Sequence, residues 1–253
     1  MEKKHRVALY QDRYVEDYGF EAVMVAARQR LVMDVLRKAN PKIVLEVGCG
    51  MDMLAARANL AGIPVEQWII VEPGKRFADA AQALRMANTR LDVVRGFLED
   101  SVDVIKDRCA SPPDFIICSG MLNEVADPLA ILRAAKSLLG RSGMVHVNVP
   151  HALSLHRRLA RTMGIIKTEQ QLTERNNKLL QYRVFDFETL VDVAHSAGFR
   201  IAEKGGYFVK PFTHDQMQSI PDVLSEEVLD GLWKLGREMP ELASEIYVNL
   251  EVA

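Results

Sequence analysis

The 253-residue chain has no apolar run approaching the roughly 20 residues a membrane-spanning helix needs. It also lacks a dominant charge: 32 Lys and Arg stand against 34 Asp and Glu, a formal net charge of −2. That balance gives none of the basic footprint by which proteins hold nucleic acid. Cysteine is scarce, and Cys49, Cys109 and Cys118 form no CxxC pair, so neither a metal nor a redox motif is expected. Cys49 and Cys118 read as small apolar packing residues. Behind Met1–Glu2–Lys3–Lys4–His5–Arg6 there is no apolar signal core, and cytoplasmic residence is the expectation. Repeats, low-complexity runs and obvious linkers are missing too.

What the chain does have is 49% hydrophobic residues, enough for a full core, arranged in alternating short apolar runs and helical periods. Strands are expected at 42–47, 67–72, 91–95, 113–118, 143–149, 199–208 and 245–252. Helices are expected at 20–38, 52–61, 75–87, 99–107, 127–139, 186–197 and 224–237. Alternating β and α units predict an α/β fold with a mostly parallel sheet and helices on both faces. Residues 151–185 and 210–244 do not fit the minimal alternation and read as insertions after the fifth and sixth strands. Tyr10, Tyr14 and Tyr18 share a helical face ahead of the leading helix, as a packed stripe or as a cap.

The segment Ile43–Val44–Leu45–Glu46–Val47–Gly48–Cys49–Gly50 carries the most chemistry. A buried strand ends in an acidic residue and a glycine turn, and a helix follows at once. This is where open α/β sheets bind cofactors, because bare main chain and a helix N-terminus lie together at the carboxyl end of a strand. Gly48 and Gly50 let a ligand approach without a Cβ in the way. About twenty residues on, Trp68–Ile69–Ile70–Val71 ends in Glu72, which can accept both hydroxyls of an adenosine ribose. A dinucleotide fingerprint is incomplete, since Met53 stands where its last glycine would fall.

Glu46–Val–Gly48–Cys–Gly50, Val71–Glu72–Pro73, Gly96–Phe97–Leu98–Glu99–Asp100 and Ser119–Gly–Met–Leu–Asn–Glu–Val–Ala–Asp127–Pro128 follow one another in an order and spacing that resembles the Rossmann-like (class I) S-adenosylmethionine-dependent methyltransferases. The resemblance spans about residues 43 to 150. It implies a seven-stranded sheet with an antiparallel final strand, an N-terminal helical cap, and one methyltransferase domain over 1–253. Within it, 1–40 is the cap, 41–150 the cofactor-binding half, 151–185 an acceptor-site insertion and 186–253 the C-terminal half. It implies S-adenosyl-L-methionine as cofactor, with Glu46, Gly48, Gly50, Glu72, Phe97, Leu98 and Ser119 binding it. Arg28 or Arg30, on the leading helix, is a candidate for the cofactor carboxylate; a solvated helix face explains either equally well. Asp52 replaces the family's usual third glycine, and its side chain can cap the next helix.

Methyl transfer from a sulfonium is an in-line displacement, so alignment and exclusion of water come first and a base is needed only for a poor nucleophile. The candidates for proton transfer are His151, His156 and Glu124, with Tyr182–Arg183 behind them. Glu124 serves equally well as a helix cap, and the spacing of the two histidines does not make a metal pair. The basic set His156, Arg157, Arg158, Arg161 and Lys167 reads as a solvated face or, if it meets the cleft, as a reader of phosphate or carboxylate. The segments around His151 and Tyr182 resemble methyltransferases of glycan and natural-product pathways. The expected activity is O- or N-methylation of a small molecule, with an anionic acceptor among the candidates and no nucleic-acid, membrane or metal partner, by a monomer or homodimer. A regulatory protein keeping the fold, aminopropyl transfer and hydride transfer are the alternatives.

Overall fold

The computed structural model describes residues 6–9 and 19–253; Tyr10, Tyr14 and Tyr18 lie outside them. Helix α1 (Glu21–Ala39) leads into β1 (Ile43–Val47), α2 (Leu54–Leu60), β2 (Gln67–Val71), α3 (Lys75–Ala83), β3 (Arg90–Val94), α4 (Val102–Arg108), β4 (Phe115–Ser119), α5 (Pro128–Leu138) and β5 (Met144–Pro150). Short helices α6 (Leu155–Thr162) and α7 (Glu174–Lys178) precede α8 (Phe187–Ser196) and β6 (Phe199–Tyr207). Helices α9 (His214–Gln218) and α10 (Glu226–Glu238) then lead to β7 (Glu245–Val252). The strands form one seven-stranded sheet in the order β3-β2-β1-β4-β5-β7-β6. Only β7 runs antiparallel to its neighbours, as the sequence led us to expect.

Side-chain alternation splits the core into two layers. Ile43, Leu45 and Val47 of β1, with Ile116 and Cys118 of β4, pack under α4, α5 and α8. Val44, Trp68, Ile70, Phe115 and Ile117 pack under α1, α2, α3 and α10. Strands β1 and β2 are buried along their whole length, whereas β3 at the sheet edge is mostly half-exposed. Among the described residues, no helix is long and apolar enough to cross a membrane.

Both insertions rise at the carboxyl edge of the parallel strands. The first leaves at His151 and returns at Phe185, and these two residues form an isolated parallel bridge. Its returning limb clasps the loop after β4: Tyr182 N–H donates to Asn123 O at 2.8 Å, and Arg183 donates to Ala126 O at 2.5 Å. The second follows a sharp change of direction at Phe208, whose φ is +58°. Gly236 of α10 permits that turn to pack, because a Cβ there would run into the main chain of Tyr207 and Phe208. Main chain cannot rotate aside as a side chain can. The helical gain of alanine over glycine, about 1 kcal/mol, is therefore outweighed by overpacking. With that gain set against an overpacking cost of about 1–3 kcal/mol, Gly236→Ala should lose up to about 2 kcal/mol of unfolding free energy in urea titration.

Candidate active site

The first β–α turn is built around Glu46. This carboxylate is 2% exposed and accepts three hydrogen bonds: Leu54 N–H at 3.0 Å, Ala55 N–H at 3.3 Å and Trp68 Nε1–H at 2.9 Å. The first N–H groups of α2 thus find their acceptor on the strand behind them. Burial lifts the Glu46 pKa to about 7, against the pull of those donors, and the neighbouring Glu72 charge adds to the rise. The expectation that Asp52 caps this helix needs correcting. The N-cap is Met53, with no side-chain capping bond. Asp52 is exposed, and it is its main-chain carbonyl that is engaged, by Gln29 Nε2 at 2.7 Å. Nor does Asp52 have a positive φ, so no glycine is demanded there. Gly48 and Gly50 do have one, at +72° and +59°.

Glu72 leaves the end of β2 with 5% exposure. One of its oxygens accepts Gly74 N–H at 2.7 Å, and the other lies 3.9 Å from Cys49 Sγ. Burial raises its pKa, while main-chain N–H groups of Gly74, Gly50 and Cys49 oppose that rise. A Cβ placed on Gly48 would project into open space, with Met121 Cβ its nearest neighbour at 4.0 Å. Ser119, ending β4, takes a hydrogen bond from Asn148 Nδ2 at 3.0 Å. Asn148 also reaches His146 Nε2 at 3.0 Å, and His146 Nδ1 reaches Asn249 at 2.7 Å. Burial pushes the His146 pKa down to about 4, so this cross-strand chain is neutral.

One cavity of about 1370 Å³ joins these groups to the insertions. Single ligand sites usually measure about 300–1,000 Å³, so the space suits a cofactor and a second molecule. Glu46, Gly48, Gly50, Glu72, Phe97, Leu98, Ser119, Glu124, His151 and His156 all line it. His151 is 1% exposed; its Nδ1 lies 3.1 Å from Ala243 O and its Nε2 has no protein partner. That contact fixes the neutral tautomer with Nδ1–H donating and the Nε2 lone pair free. Burial drives the His151 pKa down to about 4, with Asp186 and the Ala243 carbonyl opposing. The His156 Nδ1 is likewise buried without a partner, and burial holds its pKa well below the usual range.

The basic set of the first insertion divides. Arg158, Arg161 and Lys167 do not line the cavity, whereas His156 and Arg157 do. Arg157 spends its donors on structure, giving Nε–H to Glu169 O at 2.8 Å and Nη2–H to Gln171 O at 2.6 Å. Of the two leading-helix arginines, Arg30 lies outside the cavity, paired with Asp230 at 2.7 Å and stacked 3.8 Å over Trp233. Arg28 lines the cavity but is already clamped by both oxygens of Glu245 and lies 3.4 Å from Glu21.

Several cavity residues have no sequence motif: Glu21, Arg175, Lys210, His214 and Glu245. Glu21 receives His214 Nε2 at 2.9 Å, Arg175 at 3.3 Å and Arg28. Burial works against its charge, yet the His214 bond and the arginine charges pull its pKa down to about 2. Lys210 Nζ lies 2.6 Å from His214 Nδ1. These residues come from α1, α7, the turn after β6, α9 and the start of β7. Only Lys210, alone among the apolar residues Tyr207–Phe208–Val209 and Pro211–Phe212, could have drawn attention to any of them.

A glycine turn after the first strand, a buried acid at the end of the second and a large cavity at the carboxyl edge match what the resemblance to class I S-adenosylmethionine-dependent methyltransferases implies. The chain belongs to the methyltransferase-domain family, whose model matches residues 14–204. It is 28% identical over 193 residues to the ubiquinone biosynthesis O-methyltransferase of Actinobacillus pleuropneumoniae, covering 71% of this chain and 76% of that one. Its fold is similar to that of a plantazolicin methyltransferase solved with a substrate analogue and S-adenosylhomocysteine (TM-score 0.58, 16% identity, 98% of this chain and 96% of that one). A methyltransferase from Mesorhizobium loti is similar too (TM-score 0.59, 16% identity, 90% and 99%). The protein is thus an enzyme that uses S-adenosyl-L-methionine.

The Glu46 clamp gives a prediction of its own. A glutamine would turn an NH₂ group towards at least one of the N–H donors at Leu54, Ala55 and Trp68. Glu46→Gln should cost about 1–3 kcal/mol in chemical denaturation.

Proposed function

We propose that the enzyme methylates an oxygen or nitrogen of a small molecule held against the two insertions, and that residues 1–253 work as one unit in doing so. The observation that carries this reading is the single cavity running from Gly48 and Glu72 to His151 and His156. The residues present fit the cofactor: room for close approach over Gly48 and a buried acid at Glu72 lining the same cavity. When bound, S-adenosylmethionine supplies an electrophilic methyl group on a sulfonium. Gly48 and Gly50 would line its methionine and ribose, and Glu72 would take the ribose hydroxyls. Phe97 and Leu98 would flank the adenine, Ser119 would stand near the methionine tail, and Glu46 would hold the turn in place. The first insertion, closed by the His151–Phe185 bridge, keeps water from the reacting atoms.

His151 is the group best arranged to take a proton from the acceptor, because its neutral tautomer is fixed and its Nε2 is free. His156 and Glu124 stand in the same cavity as secondary candidates. The net charge of −2 agrees with a small acceptor rather than nucleic acid. Sugars, nucleotide-linked compounds and natural-product intermediates are the acceptor classes to test, by following labelled methyl transfer into a metabolite extract.

Glu72→Ala should weaken S-adenosylhomocysteine binding by about 1.5–3 kcal/mol in calorimetry while leaving the fold intact. Unaltered affinity would remove Glu72 from the cofactor site. His151→Gln should lower kcat by about 10²-fold or more, with cofactor affinity unchanged. Because His151 is neutral above a pKa of about 4, its proton-accepting form is present throughout the neutral range. With both substrates saturating, kcat should show no inflection near pH 6.5 and should fall only as pH approaches 4. A loss of less than about threefold in the variant would rule His151 out as the base.

A further inference from the structure

Lys210 is 2% exposed and lines the same cavity as Glu72. Its one recorded hydrogen-bond partner is a neutral acceptor, His214 Nδ1 at 2.6 Å. Among the described residues, no carboxylate makes an ion pair with it. The two nearby acids are taken: Glu21 by Arg28, Arg175 and His214, and Glu245 by Arg28 and Tyr207. Arg157, 8% exposed and lining the same cavity, hydrogen-bonds main-chain carbonyls, while the Glu169 carboxylate that acts on it through space is paired with Arg161. His156 lines the same cavity, with its Nδ1 unpartnered and with Lys210 and Arg157 both acting on it through space. The wall therefore buries two basic groups with no carboxylate in direct contact, an arrangement that costs free energy in the charged form until a negative group arrives.

We propose that the acceptor carries an oxyanion, a carboxylate or a phosphate, which binds in the cavity against the Lys210 ammonium beside His156 and Arg157. The proposal rests on the methyltransferase reading of the cavity and names the acceptor's chemistry within it. The His214–Glu21 pair holds the lysine in place, since His214 bridges Lys210 Nζ and Glu21 Oε2. Burial lowers the Lys210 pKa to about 7, with Glu21 and Glu245 opposing and Arg175 and Arg157 reinforcing the fall. A bound oxyanion reverses that shift by favouring the charged form.

The test titrates the protein, saturated with S-adenosylhomocysteine, with inorganic phosphate, benzoate and neutral benzamide in a calorimeter. At least one oxyanion should bind and benzamide should not. Lys210→Met should weaken the oxyanion by about tenfold or more, the loss of one charge-assisted hydrogen bond, with S-adenosylhomocysteine affinity within about twofold. Phosphate binding alone identifies a phosphorylated acceptor, and benzoate binding alone a carboxylic acid. The proposal is overturned if neither oxyanion binds, if benzamide binds as well as benzoate, or if Lys210→Met binds the anion as tightly as the parent. Failure of S-adenosylhomocysteine to bind strikes the cofactor reading instead, and the anion titration is then read on the free protein. Should Lys210→Met not fold, ¹³C-lysine NMR of the parent decides. The low pKa of Lys210 should rise by about one unit or more on saturation with the oxyanion, and an unmoved value overturns the proposal.

Discussion

The Glu46 carboxylate is the constraint on which the rest of the site depends. It joins β1, β2 and the start of α2 through three hydrogen bonds, all buried. An acid placed so deep, with its pKa raised to about 7 by desolvation, is tolerated only because N–H donors surround it. Those donors in turn fix where α2 begins, and therefore the path of the chain between Val47 and Leu54. The positive φ angles of Gly48 and Gly50 follow from that path. So does the open space above Gly48. The turn is shaped from behind, by an acid on the strand, and its cavity side is left free for a ligand.

A second polar network sets the opposite wall. Arg28, paired with Glu245 and Glu21, fastens α1 to the start of β7 across the end of the sheet. Through His214 and Arg175 the same Glu21 gathers α9 and α7. Isolated surface ion pairs contribute little, but this set is largely buried, so removing one member would strand the others. Its function is geometric: it brings the leading helix and both insertions to one cavity edge. That company holds the Glu21 pKa far below the usual carboxylate range, so Glu21 keeps its negative charge at neutral pH.

The contrast between these two networks explains what the sequence revealed. The sheet was legible because β1, β2 and β4 are continuous apolar runs separated by helical periods, and burial of such runs leaves few other arrangements. The turn after β1 and the acid after β2 were legible because Gly48, Gly50 and Glu72 lie within or just beyond a strand end, where spacing along the chain translates directly into position. The capping of α2 was misread because Asp52 is adjacent in sequence, whereas Glu46 reaches the helix only after the chain has turned back. Lys210, His214, Glu21 and Glu245 were missed for the same reason, carried further. They meet across separations such as the 193 positions between Glu21 and His214, and no local pattern encodes such a meeting. Arg157 was noticed in the sequence, but its carbonyl partners could not be.

This division has a consequence for how the enzyme's specificity is built. The segments that align with the family's motifs occupy one side of the cavity and are held by main-chain geometry, which tolerates side-chain change. The other side is assembled from side chains on the leading helix and the two insertions, and its polarity comes from residues such as Lys210 and His214 that belong to no motif. Loops over a rigid sheet can be exchanged with little effect on the sheet itself, so acceptor choice can diverge while the donor site stays the same. In this chain the exchangeable wall is mixed: apolar residues such as Ile166, Leu172 and Leu179 stand beside buried basic groups and two imidazoles whose pKa values are pressed down by burial. Burying positive charge costs free energy unless a partner offsets it. The chemistry of that wall therefore carries more information about the acceptor than the fold does.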